Sequence, residues 1–102
     1  VNKSPILATR SVEPLLDERA LSKLRWRCRR GMLENDLFVE RFFKRHGQTL
    51  TERHGVALAA LMDLSDNDLL DLHLGRRLLA DVDARLDQAD VAEVLVMLRE
   101  SN

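Results

Sequence analysis

Both prolines of this chain, Pro5 and Pro14, fall near its start, and none follows. A proline inside a helix removes a hydrogen bond and clashes with the preceding turn, at a cost of about 3 kcal/mol. Its absence over the whole remainder leaves every later segment free to be helical. The apolar residues then decide. Leu21, Leu24 and Cys28 recur at i, i+3 and i+7, and Val91, Val94, Leu95 and Leu98 at i, i+3, i+4 and i+7, the stripe of a 3.6-residue period. No stretch alternates polar with apolar as a half-buried strand would, and β-branched residues are sparse. These features predict an all-α fold, a small bundle of about five helices.

Caps and glycines set the expected boundaries. A first helix over 17–29 ends before Gly31, which suits a corner needing positive φ. A second over 32–45 places Leu33, Leu37, Phe38, Phe42 and Phe43 on a buried face and stops at Gly47. Thr49 and Glu52 have capping-box spacing, so a third helix is expected from Leu50 to Asp63. Ser65 is a good N-cap, with Asp66 and Asp68 answering the helix dipole. The fourth helix then buries Leu69, Leu70 and Leu74 and stops at Gly75. Residues 76–87 suggest further turns without clear boundaries, and a last helix runs over 88–100. Residues 1–16 read as a flexible N-terminal leader with Leu15 and Leu16 packing against the body, and 17–102 as the helical bundle domain.

At 102 residues and 45% hydrophobic composition the chain is one domain with a modest core. A formal net charge of −1 argues against a surface built wholly to grip nucleic acid. Cys28 is the only cysteine, so no intrachain disulfide can form. No apolar run nears the roughly 20 residues that span a bilayer. The start has neither a signal-peptide core nor an Arg/Ser-rich presequence character. The expectation is an intracellular soluble protein with no direct membrane insertion.

The chemical readings are thin. His46, His54 and His73 form no ligand pattern with Cys28, so no metal site is expected. Cys28 lies on the apolar stripe, which favours a buried residue over a nucleophile. The glycines are scattered, so no phosphate loop exists, and no carboxylate pair stands out as an acid/base couple. No catalytic residue is assigned. The Arg-rich segment 19–30 offers an alternative, a nucleic-acid-binding helical domain using Arg19, Lys23, Arg25, Arg27, Arg29 and Arg30 with Trp26 for stacking. Against it, these cations spread around a helix, and Glu34 and Asp36 follow at once. If the helix continued past Gly31, Arg30 and Glu34 would share a face at i and i+4. Gly31 between them would let another backbone approach closely. Arginine, gap and glutamate together describe a protein-docking spot.

The stretch CRRGMLENDLFVERFF, residues 28–43, resembles the FAD assembly factors of succinate dehydrogenase, called SdhE in bacteria, which have a mitochondrial counterpart. Arg30, Gly31 and Glu34 match that family's RGxxE motif. Trp26, Cys28, Arg29, Met32 and Asp36 match its extension, and Phe42 and Phe43 its paired phenylalanines. LTERHGVALAALMDLSDNDLLDL, residues 50–72, is similar to the family's leucine-rich and acidic segment. The resemblance implies a five-helix bundle that is a chaperone-like assembly factor and not an enzyme. Its partner would be the flavoprotein subunit of succinate dehydrogenase, and that of fumarate reductase where present. It would promote covalent attachment of FAD to the partner, hold no cofactor stably itself, bind no nucleic acid and work in the bacterial cytoplasm. The implied partner-binding residues are Arg29, Arg30, Gly31, Glu34 and Asp36, and no residue is assigned to a cofactor. Departures are Asn35, where many relatives are apolar, Leu72, where an aromatic is common, and a long 76–87 connector.

Overall fold

The first helix, α1 (Glu18–Arg27), opens on Asp17, whose carboxylate accepts a 2.7 Å hydrogen bond from the Ala20 amide, satisfying one of the amides a helix start leaves unpaired. A computed structural model of the chain describes residues 13–100. Residues 1–12 of the expected leader lie outside the described set. Five further helices follow: α2 (Leu33–His46), α3 (Glu52–Met62), α4 (Asp66–His73), α5 (Leu79–Val82) and α6 (Ala89–Glu100). Short 3₁₀ turns at Gly47–Thr49 and Ala84–Leu86 complete the path. No β-strand occurs among the described residues, so the fold is the expected all-α bundle, with five long helices and the four-residue α5.

The core lies where α3 and α6 pack along each other, with α2 laid across α6 and α4. Phe42, Leu58, Leu61, Leu69, Leu72, Val94 and Leu98 are sealed from solvent. Phe42 and Phe43 meet edge to face at 5.3 Å between ring centroids, a favoured aromatic geometry. Leu72, which stands where an aromatic was expected, simply fills its share of this core.

The buried stripe of α2 differs from expectation. It runs through Asn35, Phe38, Val39, Phe42 and Phe43, spaced i, i+3, i+4, i+7, i+8. Leu33 and Leu37 lie to one side of it and are 68% and 39% exposed. A polar residue at the head of the stripe conceals its true phase.

The start of α3 also moves. Its N-cap is Thr51, whose hydroxyl accepts from the His54 amide, while His54 Nδ1 accepts from the Thr51 amide, both at 3.2 Å. Histidine here completes the capping box in place of the expected Thr49–Glu52 pair, and the Thr49 hydroxyl bonds the His46 carbonyl instead. The cause is tertiary. Leu50 is extended and buried, and the segment before α1 pairs with it: Leu16 N–H donates to Leu50 O at 2.9 Å and Glu52 N–H to Pro14 O at 3.0 Å. Helix cannot begin until that pairing ends. Arg53, next in line, joins Glu13 to Asp90 and Glu93 of α6.

Candidate functional site

The chain between α1 and α2 must reverse sharply. Cys28 closes α1, and Gly31 adopts φ +90°, a region that costs an L side chain about 1–2 kcal/mol. Met32 is extended and hands over to α2. The two helices are therefore separate at the expected corner, and the i, i+4 face that a continuous helix would have given Arg30 and Glu34 does not form.

The corner is held from within. The Asp36 carboxylate, in the first turn of α2, accepts from the Arg30 amide at 3.0 Å and from the Gly31 amide at 3.1 Å. The Arg30 side chain, 16% exposed, turns inward. Its Nε donates to Asp66 Oδ1 at 2.7 Å, Nη1 to the Met62 carbonyl and Nη2 to the Leu64 carbonyl. One guanidinium thus gathers the last carbonyl of α3, that of Leu64 in the linker beyond it, and the first acid of α4. Planarity and five donors suit arginine to this work.

Asn35 ties the same region from the other side. Its Nδ2 donates to the Asp66 carbonyl at 2.9 Å, and its Oδ1 lies 3.1 Å from His73 Nδ1. An amide oxygen only accepts, so His73 carries its proton on Nδ1. The His73 ring lies 4.5 Å from that of Phe38, and its Nε2 is buried with no hydrogen-bond partner among the described residues. From the sequence, Asn35 is a departure, Asp66 a first-turn acid and His73 an unpatterned histidine, and the three are not brought together. The available signal was a polar residue on the 35, 38, 39, 42 stripe.

Burial pushes the His73 imidazole down to about 4, with the Arg99 charge adding to the effect. An unfolded histidine titrates near 6.5 and binds the proton that the folded state refuses. Stability contributed by neutral His73 is complete above about 6.5 and is lost as pH falls toward about 4, by an amount on the order of a few kcal/mol. Urea melts across this window should show His73→Phe with a shallower pH dependence than the native chain. Equal slopes would mean that His73 charges freely in the fold.

On the outside, Gly31 is exposed and a Cβ built there would meet nothing within 4 Å. Glu34 and Arg29 are exposed beside it. Trp26 is 75% exposed, with the Arg29 guanidinium 5.7 Å from its ring. Of the basic cluster, Arg30 is turned inward and Arg27 pairs with Asp63 at 3.1 Å, which removes two cations from the set that suggested nucleic acid.

Cys28 is fully buried, and burial pushes its thiol up to about 12 despite Arg27 and Arg30 nearby. A thiol so placed is no nucleophile at neutral pH. No group of three or more histidine, cysteine or acidic residues able to hold a metal occurs among the described residues. No helix of the described residues is long and apolar enough to cross a membrane.

Fold and site define a small helical module that presents a fixed surface corner. The chain belongs to the family described as flavinator of succinate dehydrogenase, whose model matches residues 22–101. It is 46% identical over 83 residues to the FAD assembly factor SdhE of Ralstonia nicotianae, covering 81% of this chain and 84% of that protein. The corresponding protein of Coxiella burnetii is 43% identical over 63 residues, covering 62% and 72%. That of Legionella pneumophila is 41% identical over 54 residues, covering 53% and 68%. No solved structure matches the chain significantly. Membership places it among assembly factors and not among enzymes.

Proposed function

We propose that this chain binds the flavoprotein subunit of succinate dehydrogenase, and that of fumarate reductase in hosts that have one, and promotes covalent attachment of FAD to it in the cytoplasm. The observation that carries the reading is the Gly31 corner: open to solvent, free of side chain, and braced internally by Arg30 and Asp36. A surface meant for close backbone approach needs a gap and must not shift when the partner arrives. Arg29, Gly31 and Glu34 form the contact, while Arg30 and Asp36 give it shape.

FAD is then the group installed on the partner and not a ligand of this chain. The factor acts by holding the flavoprotein in an arrangement where the flavin meets its acceptor histidine, and the bond-forming chemistry belongs to the flavin. Orientation of this kind lowers a barrier without any catalytic group on the factor. The test is co-purification from the native host together with in-gel flavin fluorescence of the flavoprotein, with and without this gene. The flavoprotein should co-purify, and its covalent fluorescence should fall strongly in the deletion strain. Unchanged fluorescence without the gene would sink the proposal.

A further inference from the structure

Beside the corner, α1 and α2 border a groove of about 560 Å³ that begins at Arg29 and Asp36 and runs on past the proposed contact. Its floor is apolar, formed by Val39 and Phe43, and its walls carry Trp26 and Leu33, which are 75% and 68% exposed. Large apolar side chains left this open on opposite walls of one groove mark an interaction surface. Two arginines line the α1 wall. The Arg25 guanidinium lies 5.5 Å from the Phe43 ring and that of Arg29 5.7 Å from Trp26. Neither forms an ion pair among the described residues, in contrast to Arg27, Arg30, Arg53, Arg76, Arg77 and Arg85. A guanidinium resting on an aromatic face keeps its N–H edge free, and that fork fits a carboxylate. On the α2 wall, Asp36 is already engaged by the Arg30 and Gly31 amides, and Glu40 lies further along.

We propose that this groove is a second half of the docking surface and seats an acidic segment of the flavoprotein partner. The segment's carboxylate lies on Arg25 and Arg29, and its adjacent apolar side chain lies between Trp26 and Leu33 over Phe43. Charge complementarity argues for an acidic occupant. Arg29 and Asp36 belong to both groove and corner, so one partner can cover the two without a break. Such an arrangement pairs an aromatic anchor with flanking arginines, the residue types that dominate binding hot spots. The inference rests on the proposed function, since the partner is the one named there.

Trp26 is the only tryptophan of the chain, so the full chain grown with 5-fluorotryptophan gives a single fluorine resonance that reports on the groove. The probe is the unlabelled, FAD-free flavoprotein subunit of succinate dehydrogenase. Its addition should shift or broaden that resonance. The charge reversal Arg25→Glu, at a groove residue outside the corner contact, should weaken binding about tenfold and flatten its salt dependence, with the thermal melt unchanged because the side chain is exposed. A complex seen by size exclusion with an unmoved resonance, or with native affinity in the Arg25→Glu variant, would overturn the groove and leave the corner standing. No complex with the native chain would overturn the docking reading and the groove with it. A resonance moved by a single-stranded oligonucleotide at physiological salt, but not by the flavoprotein, would also overturn the groove as a protein site.

Discussion

Gly31→Arg should abolish flavinylation of the partner while the bundle stays folded. At φ +90° any side chain incurs a strain of about 1–2 kcal/mol, well below the roughly 5–15 kcal/mol that holds a typical domain together. The added side chain strikes nothing within the protein, since no atom lies within 4 Å of its first carbon. It projects outward, into the space a partner backbone needs. The loss therefore comes from the surface and not from the fold. Gly75 supplies the control, with φ +73° and equally open surroundings at the end of α4. Gly75→Arg bears similar strain away from the corner and should preserve covalent flavin. Thermal melts and in-gel flavin fluorescence in a host lacking the native gene read both effects. Normal fluorescence with Gly31→Arg would remove the corner from the interface. Equal loss in the two variants would assign the defect to backbone strain.

Arg30→Ala should act through stability. The substitution strips partners from the Met62 and Leu64 carbonyls and from Asp66 at once. Asp66 is 37% exposed, so water takes over much of its pairing, and the carbonyls dominate the loss. A destabilisation of about 2–4 kcal/mol is expected, or a melting point lower by roughly 10–25 °C in a domain of this size. Arg30→Lys should recover only part, because an ammonium lacks the planar fork that reaches three acceptors in fixed geometry. Flavinylation should fall in step with stability as the corner loosens. A variant that melts like the native chain yet fails to support flavinylation would show instead that Arg30 meets the partner directly.

These two residues mark where the sequence was legible and where it was not. Gly31 could be read in advance, because a glycine between a helical stripe and a new apolar run has few reasons to be there other than a left-handed turn. Arg30 could be recognised as part of the motif, but its direction could not be foreseen. A continuous helix would have set it beside Glu34, whereas the turn at Gly31 swings it onto the end of α3 and the linker beyond it, whose carbonyls lie more than thirty residues along the chain. Trp26 shows the same limit in reverse. The sequence offered it as a stacking group or a motif residue without saying whether the fold would cover it; among the described residues it stands 75% exposed beside Arg29.

Local rules settled the rest of the chain to differing degrees. Ser65 caps α4 as expected, its hydroxyl accepting from the Asp68 amide, because an N-cap and its partner amide are three residues apart and need no help from elsewhere. The cap of α3 failed because Leu16 and Pro14 bind the backbone beside it. Asn35 misled as a departure from an apolar position, since its partners, the Asp66 carbonyl and the His73 ring, come from a different helix.

By itself, then, the sequence determined the all-α class, the helix number to within the short α5, the glycine turn and the family. Each of these follows from periodicity, capping and motif, which act over a few residues and are written in order along the chain. Only the tertiary structure decided which way Arg30 faces, why Asn35 is buried, and that Trp26 and two unpaired arginines border an open groove. Those outcomes depend on which distant carbonyls, carboxylates and rings the packing of α1, α2, α3 and α4 brings within hydrogen-bonding reach.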